Sequence, residues 1–173
     1  MNIAYTVASG RGDTDLLLFR VAQKLISQGL KIRGTVQINT EREPEHPCDM
    51  DIQVLPNDSI IRISQSLGAG SRGCRLDPDA LEKAVALVET GLTANTDILI
   101  INKFGKHEAE GRGFRNIIAT ALSENIPVLV GLNSLNLSAF KNFTGGIEIE
   151  LQPEEDTIHK WVSSTIPRPK PAS

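Results

Sequence analysis

Two glycines, an arginine and a threonine lie close together near the start of the chain, in the run Ser9-Gly10-Arg11-Gly12-Asp13-Thr14. A glycine-rich loop between a strand and a helix presents backbone N–H groups and the helix N-terminus to an anion. We therefore expect Ser9, Gly10, Arg11, Gly12 and Thr14 to bind a phosphate-like ligand. The alternative is that the glycines only make a tight turn and that Asp13 or Thr14 caps the helix.

One position of this loop departs from the pattern of nucleotide-binding loops. That pattern is GxxxxGK[ST], and its lysine reaches the β- and γ-phosphates. Asp13 stands where the lysine is expected. Like charges so close together cost on the order of kcal/mol even when they are screened. Arg11 is the residue that would supply the missing positive charge.

The most apolar segment of the chain ends in a polar pair. The run Asp97 to Asn102 (DILIIN) predicts a strand buried on both faces, and Lys103 follows it. Hydrolytic proteins of this architecture carry a Mg²⁺-binding carboxylate at such a strand end. Asn102 and Lys103 provide none, so we predict no metal site and a loss of metal-assisted phosphoryl transfer. The positive charge lost at Asp13 reappears across the pocket at Lys103, which is compatible with continued anion binding.

A highly charged loop follows this strand. Its fixed cations are Lys103, Lys106, Arg112 and Arg115, and His107 lies among them. Such a cluster at the carboxyl edge of a sheet binds an oxyanion, a nucleotide phosphate or an acidic partner. Alternatively, the cations pair with the intervening glutamates and only order the loop. Glu108 is the candidate catalytic base, and a solvated loop charge is the alternative for it.

A second glycine-rich loop, LGAGSRG at 67–73, precedes Cys74 and Arg75. Backbone amides beside Arg72 and Arg75 predict an anion nest. Neighbouring arginines lower the pKa of a thiol, which favours a reactive or metal-binding role for Cys74. The alternative is a structural cysteine. Cys48 and Cys74 are the two cysteines of the sequence, and their spacing gives only a weak case for a zinc site. We expect free thiols.

Alternating strands and helices must position these loops. Strands are predicted at 2–8, 31–38, 51–55, 60–64, 97–102, 126–131 and 147–151, and helices at 14–29, 78–90, 113–124, 134–141 and 153–164. The pattern predicts an α/β fold with a mostly parallel sheet and helices on both faces. Ligands bind such sheets at the carboxyl ends of the strands, so the loops at 9–14, 67–75 and 103–115 should meet there. We expect one domain at 1–165 and a disordered tail at 166–173.

Composition limits the remaining functional classes. The chain has 173 residues, of which 40% are hydrophobic and 23% charged, and its formal net charge is −3. That balance gives no reason to expect a nucleic-acid or membrane partner. The N-terminus is too polar for a secretory signal, so we expect a cytoplasmic protein.

Two long motifs carry a family resemblance. The runs ISQSLGAGSRGCRLDPDAL at 63–81 and DILIINKFGKHEAEGRGFR at 97–115 resemble an uncharacterised bacterial family, and the similarity extends from the first strand through Val130. That family is similar to small nucleoside-triphosphatases first described from thermophiles. Their acidic strand end, DEIGKME, falls on 102–108, where Gly105, Lys106 and Glu108 are retained and both carboxylates are absent.

The resemblance implies a three-layer, P-loop NTPase-like fold whose catalytic positions are replaced. Members of the family are often encoded near molybdenum transport or cofactor genes, which implies molybdate as one ligand to test. We expect a noncatalytic or weakly catalytic ligand-binding or regulatory protein, with a nucleotide, phosphate or molybdate as the small anionic ligand. One alternative is a divergent nucleoside-triphosphatase or phosphotransferase, with Lys103, Lys106 and Arg112 stabilising phosphoryl charge. Another is an interaction module whose loop at 103–115 binds a protein partner or a second copy in a homodimer.

Overall fold

The computed structural model describes residues 1–40, 49–56, 59–65 and 75–166. The predicted loop at 67–73, the cysteines at 48 and 74, Arg72 and the tail from residue 167 onward lie outside these ranges. Within them, no helix is long and apolar enough to cross a membrane.

A seven-stranded sheet forms the centre of the molecule, in the order β4-β3-β2-β7-β8-β1-β9. Its strands are β1 (Ile3–Thr6), β2 (Ile32–Thr40), β3 (Asp49–Leu55), β4 (Ser59–Arg62), β7 (Ile98–Phe104), β8 (Val128–Leu132) and β9 (Ile149–Leu151). The five strands from β2 to β9 in this order are parallel, and β3 and β4 add an antiparallel hairpin at one edge. A separate ribbon pairs β5 (Ser64–Gln65) with β6 (Arg75–Leu76). The mostly parallel sheet is confirmed.

Helices cover both faces of the sheet, as predicted. They are α1 (Asp13–Ser27), α2 (Pro78–Gly91), α3 (Lys106–Ala109), α4 (Arg115–Ser123), α5 (Leu137–Thr144), which follows a 3₁₀ turn at Ser134–Asn136, and α6 (Glu155–Thr165). One core joins α1 and α6 to the sheet, and the core on the opposite face contains residues of α2, α4 and α5. The three layers of the predicted fold are therefore present.

The strand predicted at 60–64 ends at Arg62, the helix predicted at 134–141 begins as a 3₁₀ turn and continues to Thr144, and the segment that follows β7 differs from the sequence expectation in two details. The strand predicted to end at Asn102 continues to Phe104, whose fully buried ring contacts Phe140 edge-on with centroids 5.1 Å apart. The loop predicted to follow is not wholly irregular, because it contains the single-turn helix α3. Both changes follow from burial of Phe104, which holds the chain against α5 before it turns.

Close backbone contacts bring the central strands together. Gly34 on β2 has a φ of +118°, and a Cβ added there would lie 1.8 Å from the carbonyl oxygen of Ile100 on β7. A Cβ added at Gly131 on β8 would lie 2.0 Å from the carbonyl oxygen of Asn102 on β7. A side chain at either glycine would push the strands apart. The two glycines therefore allow β2, β7 and β8 to approach each other closely.

Candidate ligand-binding site

The loop between β1 and α1 is a tight turn whose shape depends on Gly12. Gly12 has a left-handed φ of 79° and stands at the N-cap of α1, where no side chain supplies a capping hydrogen bond. The hydroxyl Oγ1 of Thr14 instead accepts a hydrogen bond from the backbone N–H of Ala8, at 2.9 Å. The expectation that Asp13 or Thr14 caps the helix is therefore wrong.

The Asp13 carboxylate lies over Gly10. A Cβ added at Gly10 would be 2.0 Å from Oδ2 of Asp13, so a side chain there would have to displace this carboxylate. Asp13 and Ser9 line a cavity of about 410 Å³ that also contacts Arg20 and Glu155. Asp13 is not among the residues that line the cavity described next, although Gly10 beneath its carboxylate is.

A cavity of about 220 Å³, here called the loop cavity, opens where α1 begins. Its lining residues are Ala8, Gly10, Arg11, Gly12, Thr14, Asp15, Asn102, Lys103, Leu132 and Asn133. It contains two cations, Arg11 and Lys103, and one carboxylate, Asp15. The amide groups of the first helical turn have no intrahelical acceptor, and together with the helix dipole they favour an anion. The loop at 9–14 and the strand end at Lys103 therefore meet as predicted.

Asn102 cross-links three elements at this edge. Its side chain is 4% exposed, and its Oδ1 accepts from the backbone N–H of Gln37 at 2.8 Å. Its Nδ2 donates to Oδ1 of Asp15 at 2.8 Å and makes a longer contact of 3.5 Å with Oε1 of Gln37. The amide is required here, because a carboxylate would have no proton to donate to Asp15.

Glu108 is buried rather than solvated. The residue is only 4% exposed. Its Oε2 accepts a hydrogen bond from the backbone N–H of Gly105 at 2.9 Å, and its Oε1 accepts one from the backbone N–H of Phe114 at 3.1 Å. A Cβ at Gly113 would fall 2.1 Å from Oε1, so the chain closes tightly around the carboxylate. The interpretation of Glu108 as a solvated loop charge is wrong. Its two oxygens fix the loop at 105–114.

The other predicted cations separate into two groups. Lys103 and Lys106 line a second cavity, whereas Arg112 pairs with Glu110 at 2.5 Å. This hydrogen bond is the largest cause of a lowered pKa for the Glu110 carboxyl, and Lys106 at 3.8 Å contributes. Pairing within the loop therefore accounts for Arg112.

Arg115 and Arg75 lie apart from the two cavities. The guanidinium of Arg115 sits 4.5 Å from the ring centre of Phe143, and it donates to the carbonyl oxygen of Glu108 at 3.2 Å. Arg75 is exposed on β6, where it pairs with Gln65. Neither arginine is among the residues lining the loop cavity or the second cavity.

The second cavity, here called the strand-end cavity, measures about 360 Å³. It is lined by Thr35, Gln37, Met50, Ile52, Ile63, Leu76, Leu81, Asn102, Lys103, Gly105, Lys106, His107, Glu108 and Phe114. Asn102 and Lys103 line both cavities, so the end of β7 stands between them. Over the described ranges, no cluster of three or more His, Cys, Asp or Glu side chains is placed to hold a metal ion.

Several site residues were not predicted from the sequence. Asp15 resembles an ordinary acidic residue in a first helical turn, and Gln37 resembles an ordinary strand residue. Asn133, which follows β8, had one available signal, since it is polar and ends a buried strand. The apolar wall of the strand-end cavity gave no signal, because its residues read as core.

Comparisons with known proteins agree with this architecture. A family model described as a protein of unknown function (DUF2478) matches residues 3–161, which confirms the predicted resemblance. The molybdenum import ATP-binding protein ModC 2 of Bradyrhizobium diazoefficiens is 37% identical over 158 residues, which are 91% of this chain and 18% of that protein. The chain therefore spans under a fifth of the length of this relative.

A solved structure shares the fold. The solution structure of a human cancer-related nucleoside triphosphatase matches with a TM-score of 0.65 and 17% identity, over 98% of this chain and 100% of that one. The P-loop NTPase-like α/β fold is thereby confirmed.

Proposed function

This chain belongs to the DUF2478 family, and we propose that it binds a phosphate-like anion in the loop cavity as a noncatalytic or weakly catalytic protein. The proposal rests on one observation: Arg11 and Lys103 line the same cavity beside the glycine turn at the start of α1. Backbone amides and cations stabilise an oxyanion without needing a metal. Asp15, the carboxylate in the lining, is occupied by the amide of Asn102 at 2.8 Å.

The position of Asp13 supports the same conclusion. In the sequence, this carboxylate opposes an anion, but its side chain covers Gly10 and lines the neighbouring cavity with Arg20. The electrostatic penalty falls with distance and screening. Arg11 and Lys103 line the loop cavity, whereas Asp13 is not among its lining residues.

Three features disfavour efficient hydrolysis of a nucleoside triphosphate. No lysine follows Gly12; the Thr14 hydroxyl bonds to the N–H of Ala8; and the neutral Asn102 stands where the resemblance expects a Mg²⁺-binding carboxylate. Phosphoryl transfer in this fold depends on cations and Mg²⁺ placed against the developing charge. The pocket therefore retains cations that bind an anion and lacks the loop lysine and the strand-end carboxylate of that chemistry.

The ligand classes to test are inorganic phosphate, molybdate and nucleotides. The name of the Bradyrhizobium relative includes both molybdenum import and ATP binding, which motivates tests of molybdate and nucleotides. Isothermal titration calorimetry should detect saturable binding of at least one of them without Mg²⁺. Arg11→Ala and Lys103→Ala should each weaken it by about tenfold, the loss of one charge-assisted hydrogen bond.

Lys160→Ala provides the matched control, because Lys160 is exposed on α6 and is not among the residues that line the loop cavity or the strand-end cavity. It should leave the affinity unchanged. Absence of binding to all three ligands at millimolar concentration would exclude the proposal.

A second candidate is a divergent nucleoside-triphosphatase. The shared fold and the ATP-binding name of the relative favour it. In that case Lys103 and Lys106 would stabilise phosphoryl charge and Glu108 would act as the base. A phosphate-release assay should then show turnover that Glu108→Gln abolishes, whereas turnover retained in this variant would remove Glu108 from the mechanism.

A further inference from the structure

We propose that the strand-end cavity is a second ligand site, which takes an apolar ring compound carrying an anionic group. The site is distinct from the loop cavity in both volume and chemistry, and it does not depend on the function proposed for that cavity. Its wall is apolar, its mouth is cationic, and the two parts select different halves of one ligand.

The wall selects the ring. Ile52, Ile63, Leu81 and Phe114 are each no more than 7% exposed, yet all four line a cavity of about 360 Å³. Small organic ligands occupy cavities of this size, which begin at roughly 300 Å³. Apolar surface facing water is unfavourable, and covering it with an apolar ring gains free energy in proportion to the area. An inorganic anion gains nothing from such a wall.

The mouth selects the charge. Lys103, Lys106 and His107 lie together where β7 ends and α3 begins. Lys106 has a side chain that is 83% exposed and an ion pair of 3.8 Å with Glu110, a weak contact that a bound anion can replace. The negative group is expected here, with the ring directed inward.

The acid in the lining is Glu108, whose carboxylate is engaged by the backbone. Both oxygens of Glu108 already accept backbone hydrogen bonds, from Gly105 at 2.9 Å and from Phe114 at 3.1 Å. The uncharged polar residues in the lining are Thr35, Gln37 and Asn102, and they add no charge that opposes an anion.

The two cavities share Lys103, so their ligands interact. An anion in each places two negative charges near one ammonium group, and each ligand then weakens the other by the same factor. Saturating inorganic phosphate should therefore reduce the affinity for the ring compound without displacing it completely.

Three probes separate ring from charge in a calorimetric titration of the full chain. Naphthalene-1-sulfonate has both parts, 1-naphthol has the ring, and inorganic phosphate has the charge. We expect one naphthalenesulfonate per chain, bound about tenfold more tightly than naphthol, because a charge-assisted contact contributes about one factor of ten.

Variants then assign the site. Leu76→Trp places a larger side chain in the cavity from a partly buried position and should weaken naphthalenesulfonate by about tenfold or more. Lys106→Ala should weaken it by about threefold, the effect expected of an exposed charge. Lys160→Ala is the matched control and should change nothing.

Arg11→Ala separates this proposal from the function proposed for the loop cavity. It should weaken phosphate and leave naphthalenesulfonate bound, whereas Leu76→Trp should do the reverse. Naphthalenesulfonate that does not bind, that binds equally to the Leu76→Trp variant, or that binds no better than naphthol would overturn the second site, whatever the result for phosphate.

Discussion

The Asn102→Asp substitution tests the structural role of the amide at the end of β7. It is nearly isosteric, but it replaces a donor that is 2.8 Å from Oδ1 of Asp15 with a second carboxylate oxygen. The lost charge-assisted hydrogen bond contributes about 1.5–3 kcal/mol. Two carboxylates about 4 Å apart repel by up to ~4 kcal/mol at an effective dielectric constant of about 20, and sharing a proton relieves part of this. We expect a loss of about 2–4 kcal/mol in the free energy of unfolding at pH 7.

The stability lost in the Asn102→Asp variant should depend on pH. Repulsion raises the pKa of the carboxyl pair in the folded variant, so the native state holds a proton that the unfolded chain has released. The destabilisation of Asn102→Asp should therefore grow as the pH rises from about 5 to 8, measured by urea unfolding followed by circular dichroism.

A second substitution provides the control. Adding Asp15→Asn to Asn102→Asp restores one amide and one carboxylate with the donor and acceptor exchanged, while the carboxylate still accepts from the N–H of Gln37. Most of the lost stability should return. A single variant that loses less than about 0.5 kcal/mol, or a double variant no more stable than the single one, would refute the assigned network.

Three further substitutions test other parts of the structure by the same unfolding measurement. Glu108→Gln should lose about 1–3 kcal/mol, because one of its two backbone N–H partners then faces an NH₂ group; an unchanged free energy would contradict the assigned contacts. Gly34→Ala should lose at least about 3 kcal/mol, because its Cβ would lie 1.8 Å from the carbonyl oxygen of Ile100, and wild-type stability would contradict the close approach. Burial and, secondarily, Lys24 lower the pKa of His159, whose Nε2 is buried without a hydrogen-bond partner in the described structure. The native state therefore takes up a proton less readily than the unfolded chain, and stability should fall as the pH drops below the unfolded value of about 6.5. His159→Leu should flatten that decline, and an unchanged slope would contradict it.

The sequence predicts the architecture where local pattern and burial agree. The continuous apolar run before Asn102 indicates a strand buried on both faces, and β7 is the central strand of the seven, with every residue except Lys103 buried. The pair Asp77-Pro78 predicts a helix start, and Oδ1 of Asp77 accepts from the N–H groups of Asp79 and Ala80 at 3.0 and 3.2 Å. Such signals depend on neighbours in the chain, which a single sequence displays.

The candidate site depends instead on contacts between distant residues. Asn102 and Asp15 are 87 positions apart, and Asn102 and Gln37 are 65 apart, so neither partner is visible from local spacing. The loop pattern identified Asp13 as an obstacle to an anion, but the direction of its side chain depends on Gly10 and on the neighbouring cavity. The apolar wall was hidden because Ile52 and Leu81 look the same in a sequence whether they fill a core or line a cavity.

Amide shifts during a phosphate titration test the central claim most directly. In two-dimensional ¹⁵N–¹H spectra recorded without Mg²⁺, the backbone N–H signals of Gly10, Arg11 and Gly12 should move saturably as inorganic phosphate is added. The Arg11→Ala variant should need about tenfold more phosphate for the same change. If the loop signals do not move at millimolar phosphate, the anion site is contradicted. Binding that requires Mg²⁺ and is accompanied by phosphate release from ATP would contradict a metal-independent, noncatalytic site.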